Sequence, residues 1–231
     1  MPFDELLIIN PQYTYMMKRF SLSALLFFTF FPGMCLCQSV NQSLFSQTGN
    51  RLEWENEGEV FWIEAYGPNT LRFRSSRSLH ISDEIWNILP QPDIKPTIQI
   101  LEGKAIISNG KISAEIREDD GLITYYNEKH EVLLREAYDH DVTRLARQYK
   151  SRGSDHFEIT LTFETERNEH LYGMGQYQND CLDLKGTVLD LSQKNKQISV
   201  PFLLSSKGYG FIWNNPSIGR AELSMTHTSF S

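Results

Sequence analysis

Three pairs of closely spaced aspartates are candidate catalytic residues, because paired carboxylates act as acid and base in hydrolytic reactions. The pairs are Asp119 with Asp120, Asp139 with Asp141, and Asp180 with Asp183. The polar residues around each pair are typical of turns and solvated surfaces. We therefore predict structural roles for all six carboxylates and no catalytic residue among them.

Metal binding and cysteine chemistry have little support in the sequence. Six histidines are scattered without the HxH or HxxxH spacing of zinc sites; they are His80, His130, His140, His156, His170 and His227. No Cys-His pair is evident near Cys181, which we expect to be a small buried side chain. The sequence predicts no metal and no cofactor.

The segment Ser192–Gln197 is wholly polar and has the residue types that bind hydroxylated ligands. Gln193, Lys194 and Asn195 offer amide and ammonium groups, which hold sugar hydroxyls through hydrogen bonds of fixed direction. We predict these three residues as substrate contacts. A solvated loop without a binding role explains the same composition equally well.

Trp213, followed by Asn214 and Asn215, is a second candidate, because aromatic faces stack on pyranose rings. The residue lies in a Phe-Ile-Trp run that is typical of a buried strand. We therefore predict that Trp213 belongs to the core.

The elements that must position these residues are short β-strands. Strand-like segments alternate with turn signals such as Gly67-Pro68-Asn69 and Asn109-Gly110, and no segment has a sustained helical period. The predicted strands are 60–65, 71–75, 104–108, 111–117, 122–126, 132–135, 157–163, 187–191, 200–206 and 209–214. The proline-rich segment Asp83–Pro96 is predicted to be a crossing loop. This pattern predicts an all-β fold, an antiparallel β-sandwich.

Two glycines, Gly173 and Gly175, flank Met174 immediately before a polar run that starts at Gln176. A chain without Cβ atoms at these positions can turn tightly or pass close to a neighbouring backbone. We expect either a tight turn or a close backbone approach at this point.

The N-terminal region has the layout of a secretory signal peptide. Lys18 and Arg19 precede an apolar run, Leu22–Phe31, that is too short to span a bilayer. We predict a signal peptide at 17–37, cleaved before Gln38, and a secreted or periplasmic protein. A lipoprotein anchor on Cys35 or Cys37 is the alternative.

The remaining boundaries follow from this assignment. Residues 1–16 fit neither a signal peptide nor the fold, and we interpret them as a misassigned start. Residues 38–50 are rich in Gln, Ser and Asn, which predicts a flexible lead, and the fold is expected over 51–231. The net charge of −7 argues against nucleic acid as a partner.

The order of motifs from Leu171 to Arg220 resembles the end of the N-terminal β-sandwich of glycoside hydrolase family 31. LYGMGQ at Leu171–Gln176 and VPFLLSSKGYGFIWNNPS at Val200–Ser217 carry the resemblance. Leu184-Lys185-Gly186 before the polar loop is most similar to the α-xylosidase branch. The resemblance implies a galactose mutarotase-like sandwich and an α-linked xyloside or glucoside as ligand.

The resemblance also implies that the polar loop reaches the active site, where the family often has an Asp at the position of Asn195. Asparagine keeps the hydrogen-bonding shape but lacks the charge of a base. The catalytic aspartates of the family belong to a (β/α)8 barrel that follows the sandwich, and nothing here predicts alternating strands and helices. No His and Glu pattern of a galactose mutarotase is evident.

We therefore expect a fragment, the N-terminal domain of a secreted α-glycosidase, that is inactive without its barrel. The segment Ala221–Ser231 is expected to leave a strand without a closing element. A free-standing carbohydrate-binding sandwich is the alternative. Coding sequence for a barrel downstream would favour the first interpretation.

Overall fold

The computed structural model describes residues 5–11, 43–77, 81, 88–137, 146–153 and 157–231, which form eighteen strands and contain no helix. The strands are β1 (Glu5–Pro11), β2 (Phe45–Thr48), β3 (Arg51–Asn56), β4 (Glu59–Ala65), β5 (Thr70–Ser76), β6 (Thr97–Leu101), β7 (Lys104–Asn109), β8 (Ile112–Arg117), β9 (Ile123–Tyr126), β10 (Val132–Arg135), β11 (Arg147–Ser151), β12 (Phe157–Glu164), β13 (Leu171–Gln176), β14 (Thr187–Leu191), β15 (Ile198–Ser205), β16 (Tyr209–Trp213), β17 (Gly219–Leu223) and β18 (His227–Phe230). The predicted all-β fold is confirmed. The predicted signal peptide at 17–37 lies outside the described residues.

The largest sheet has eight strands in the order β13-β15-β16-β1-β5-β4-β3-β2. Successive residues of a strand point to opposite faces, and one face of this sheet carries buried apolar side chains such as Leu52, Phe61, Ile63 and Phe73. This face forms one side of the core.

Two five-stranded sheets cover that face, with the orders β10-β9-β8-β7-β6 and β11-β12-β18-β17-β14. They meet where Glu136 pairs with Phe163 in an isolated antiparallel bridge. Ile107 and Ile116 from the first sheet and Leu161 from the second are buried in the same core cluster as the large sheet. The predicted β-sandwich is therefore confirmed.

Aromatic residues fill the part of the core beneath β16. Phe211 lies 5.5 Å from Phe163 and 4.6 Å from Phe230, measured between ring centroids. Trp213 stacks on Phe230 at 5.7 Å and is 2% exposed. The prediction that Trp213 belongs to the core is confirmed, so this ring is not available as a sugar platform.

A buried ionic cluster joins the three sheets. Arg147 on β11 donates to Glu59 on β4, with an Nε to Oε1 distance of 2.7 Å, and to Glu136 after β10. Tyr149 donates to the same Glu59 oxygen at 3.0 Å. Burial alone would lower the pKa of Arg147, but the carboxylates of Glu136 and Glu59 outweigh burial and raise that pKa. The guanidinium therefore stays charged inside the fold.

The hairpins predicted from turn residues are confirmed. Antiparallel pairs β4 with β5, β7 with β8, and β15 with β16 all form as expected. Gly110 has a φ of +60° at the turn between β7 and β8. The side chain of Asn109 is buried and donates to the carbonyl oxygens of Gly67 and Thr70 at 2.8 and 2.7 Å.

Both ends of the fold differ from the sequence predictions. Strand β2 lies within the predicted flexible lead 38–50 and pairs with β3. Strand β18 closes its sheet by pairing with β12 and β17, so the expectation that Ala221–Ser231 lacks a closing element is wrong. Thr228 and Phe230 are both buried, an alternation that marks a half-buried strand.

The sequence predicts that residues 1–16 lie outside the fold, whereas Glu5–Pro11 forms β1 between β5 and β16. Strand β1 runs parallel to both neighbours, and the other strand pairs are antiparallel. Leu6 to Ile9 form a continuous apolar run, which is typical of parallel strands.

Candidate functional site

Strand β13 passes unusually close to β15, as the two glycines predicted. A Cβ atom at Gly173 would lie 2.5 Å from the carbonyl oxygen of Phe202, and one at Gly175 would lie 2.1 Å from that of Ile198. Their φ angles are +95° and +100°, and a register shift separates them. The close approach is confirmed, and it fixes the start of β15 beside the polar loop.

The polar loop is Ser192–Gln197, which connects β14 to β15. Gln193 secures its base, because its Nε2 donates to the Ser199 carbonyl at 2.9 Å and its Oε1 accepts from the Ser199 N–H at 3.1 Å. Lys194 donates to Asp190 at 2.7 Å. The loop therefore has two side-chain anchors, one on each flanking strand.

A tight turn forms the tip of the loop. The Gln197 N–H donates to the Lys194 carbonyl at 3.1 Å, and Lys196 has a φ of +64°. Asn195 and Lys196 lie at the two central positions of this turn and are exposed. Within the described part of the chain, the Asn195 amide makes no hydrogen bond.

Tyr177 braces the loop from the neighbouring connection between β13 and β14. Its hydroxyl lies 3.1 Å from the Asp190 carbonyl oxygen and 2.9 Å from Ser199 Oγ. Neither Tyr177 nor Ser199 is among the site residues predicted from the sequence. A lone aromatic residue within the polar run Gln176–Asp180 was the available signal.

The electrostatics of the loop are mixed. The hydrogen bond and the charge of Lys194 lower the pKa of Asp190, so that carboxylate is ionised at neutral pH. The tip of the loop therefore presents the Asn195 amide and the Lys196 ammonium, and the ion pair between Lys194 and Asp190 lies where the loop meets β14. This arrangement can orient polar groups but offers no base of raised pKa for proton transfer.

The aspartates were predicted to have structural roles in turns and on solvated surfaces, and Asp120 and Asp183 have partners of this kind. Arg117 pairs with Asp120, and Asp183 accepts from His170 at 2.6 Å. Burial alone would raise the pKa of Asp183, but hydrogen bonds from His170 and from the backbone N–H groups of Lys185 and Leu171 lower it. Asp139 and Asp141 lie outside the described residues.

No group of histidine, cysteine and carboxylate side chains suited to a metal ion occurs in the described ranges. His80, His140 and His156 lie outside these ranges, and His130 stacks on Tyr126 at 4.2 Å. Cys181 is exposed, so the prediction that it is buried is wrong. It follows a polar stretch in the connection between β13 and β14, where the chain leaves the sheet.

A separate cleft of about 170 Å³ lies at the other end of β13, near Leu171. Four of the charged residues that line it form two pairs: Lys207 with Glu166 at 3.1 Å and Arg135 with Glu164 at 3.4 Å. This cleft is distinct from the polar loop. None of the described residues forms a helix long and apolar enough to cross a membrane.

Comparison with known proteins agrees with this geometry. Residues 60–220 match the glycosyl hydrolase 31 N-terminal galactose mutarotase-like domain. An uncharacterised family 31 glucosidase from Pseudescherichia vulneris is 34% identical over 200 residues, which cover 79% of this chain and 38% of that protein. α-Xylosidase A of Aspergillus niger is 37% identical over 75 residues, which cover 32% of this chain and 10% of that protein.

Solved structures show the same relationship. A family 31 α-xylosidase from a soil metagenome, complexed with xylose, has a TM-score of 0.75 and 35% identity; the match covers 80% of this chain and 30% of that one. A Flavobacterium johnsoniae family 31 dextranase has a TM-score of 0.65 at 14% identity and shows the fold alone; the match covers 82% of this chain and 25% of that one. The chain spans well under half the length of these relatives. It belongs to glycoside hydrolase family 31 and corresponds to the N-terminal galactose mutarotase-like domain of that family's glucosidases and xylosidases.

Proposed function

We propose that this chain is the substrate-facing domain of a secreted α-glycosidase of the α-xylosidase type. One observation carries the proposal: the polar loop is anchored at its base by Gln193 and Lys194 and exposes Asn195 at its tip. The soil-metagenome α-xylosidase that is complexed with xylose supports a xyloside as the ligand.

The three loop residues have different tasks in this proposal. Asn195 donates to one sugar hydroxyl and accepts from its neighbour, because an amide offers both groups in one plane. Lys194 adds an ammonium donor beside Asn195, and the same ammonium also donates to Asp190. Gln193 uses its amide on Ser199 and holds the other two in place. An anchored loop loses less conformational entropy on binding than a mobile one.

Catalysis is assigned to residues outside this domain. Glycoside hydrolysis commonly needs two carboxylates roughly 5 to 10 Å apart on either side of the scissile bond. The loop tip offers no such pair, since Asp190 carries an ion pair with Lys194. We assign the catalytic aspartates to a (β/α)8 barrel that partners this domain. The purified chain should therefore release no nitrophenol from aryl α-xyloside or α-glucoside; turnover that co-purifies with the chain would contradict this assignment.

Titration calorimetry with xylose, glucose and xyloglucan oligosaccharides tests the binding role. Asn195→Ala should weaken binding about five- to tenfold, the equivalent of one or two hydrogen bonds. Gln99→Ala, which truncates an exposed amide on β6, is the matched control and should bind like the wild type. Equal affinity of the wild type, Asn195→Ala and Lys194→Ala for these sugars would show that the loop does not bind them.

Secretion is the remaining part of the proposal. The signal-peptide layout at 17–37 supports export with cleavage before Gln38. N-terminal sequencing of protein recovered outside the cytoplasm should begin at Gln38. An N-terminus at Met1, Met16 or Met17, or retention in the cytoplasm, would contradict export.

A further inference from the structure

The position of β1 in the large sheet is unusual. Three strands lie on one side of it, β13-β15-β16, and four on the other, β5-β4-β3-β2. Among the described strands, β1 is the one hydrogen-bonded link between these two groups. The slot between β5 and β16, which we call the β5/β16 slot, is therefore a central position of the sheet and not an edge.

The register in the slot is regular on both sides. Glu5 lies opposite Tyr209 and Ile9 opposite Trp213 on β16, while Leu6 lies opposite Thr70 and Pro11 opposite Ser75 on β5. No bulge interrupts either ladder. A complete pair of parallel ladders supplies affinity through main-chain hydrogen bonds, as in recognition by strand addition.

With β1 in place, β5 is buried on both faces of the sheet. Every residue of β5 is buried, with Leu71 and Phe73 on the core side and Arg72 and Arg74 on the other. Arg74 bonds Glu64 at 2.6 Å and lies over the Trp62 ring. Without an occupant, β5 and β16 would each present a row of unpaired N–H and C=O groups, which is a template for pairing with another strand. The slot therefore favours an extended segment as its occupant.

The ladders that hold β1 do not involve the chain that joins it to the rest of the domain. Every residue paired with β1 belongs to β5 or β16, and the next described residue after Pro11 is Ser43. The main-chain bonds of the two ladders are therefore available to the segment with or without the covalent link.

From these observations we propose that the β5/β16 slot is a peptide-binding site that takes the extended segment Glu5–Pro11 as a parallel strand without needing the covalent connection.

The test uses the full chain with a site-specific protease sequence inserted between residues 20 and 30. After complete cleavage, native gel filtration followed by mass spectrometry should find the N-terminal piece co-eluting with the larger piece in equal amounts. Separate elution of the two pieces, whether or not the larger one stays folded, would overturn the proposal.

The companion variant carries both Leu7→Pro and Ile8→Pro. Adjacent residues of a central strand donate their backbone N–H groups to opposite neighbouring strands, so this pair of prolines removes one hydrogen bond from each ladder. Two lost ladder bonds with buried partners should weaken retention of the N-terminal piece roughly a hundredfold. Hydrogen exchange should accelerate at β5 and β16 in this variant and stay unchanged at β14. Retention equal to that of the parent chain, or exchange unchanged at β5 and β16, would show that the segment is not held as a strand.

Discussion

Gly175→Ala should destabilise the domain by about 2–5 kcal/mol. An L-residue at a φ of +100° costs about 1–2 kcal/mol in backbone strain. The new Cβ would also lie 2.1 Å from the Ile198 carbonyl oxygen and 2.8 Å from the Val200 nitrogen. Both atoms belong to the backbone of β15, so relief requires a strand shift that costs a further 1–3 kcal/mol or so.

Gly186→Ala is the matched control for this effect. Gly186 has a φ of +85°, but an added Cβ would meet nothing within 4 Å. Its cost should therefore be the strain term alone, about 1–2 kcal/mol. The difference between the two variants isolates the close approach of β13 to β15.

Urea unfolding followed by tryptophan fluorescence measures both variants, with the slope m compared to check that the transitions are equivalent. Because Gly175 pairs with Ser199, which bonds Gln193, the shift should also weaken sugar binding in Gly175→Ala. Unfolding free energies of the two variants within about 0.5 kcal/mol of each other would refute the steric argument.

Two further predictions concern charged groups. Glu136→Ala should lower the free energy of unfolding in urea by about 3–5 kcal/mol, because it leaves Arg147 buried with one carboxylate fewer. Glu128 is an exposed glutamate, and Glu128→Ala should change the free energy of unfolding by less than about 0.5 kcal/mol. Equal effects of the two substitutions would contradict the buried cluster. The pKa of Asp183 is lowered in the fold, so its stabilising contribution is present above its unfolded pKa and is lost as pH falls through its folded pKa. Asp183→Asn should therefore flatten the loss of stability on acidification below about pH 4; a pH profile parallel to the wild type would contradict it.

Local turn chemistry explains why much of the fold could be predicted from the sequence. Asn109-Gly110 and Lys207-Gly208 mark hairpins whose partner strands are adjacent in the chain, and both form. Strand β1 was not predicted, because both of its partner strands are remote in sequence. Nothing in a local pattern reports such pairing.

The candidate loop was located from its polar composition, but its internal geometry was not. Gln193 was predicted as a ligand contact, and the structure shows that its amide bonds Ser199. Tyr177 was missed, because its hydroxyl reaches Asp190 and Ser199 across a turn of the chain. Residue type indicates what a side chain can bind, whereas the partner it selects depends on the tertiary fold.

The most direct test of the sugar-facing loop is an NMR titration of the isotope-labelled chain with xylose. We expect concentration-dependent shifts at the amides of Lys194, Asn195 and Lys196, and none at Glu166 and Lys207, which line the separate cleft. Shifts confined to the cleft, or no shift at the loop under saturating xylose, would contradict the central claim that this loop faces the substrate.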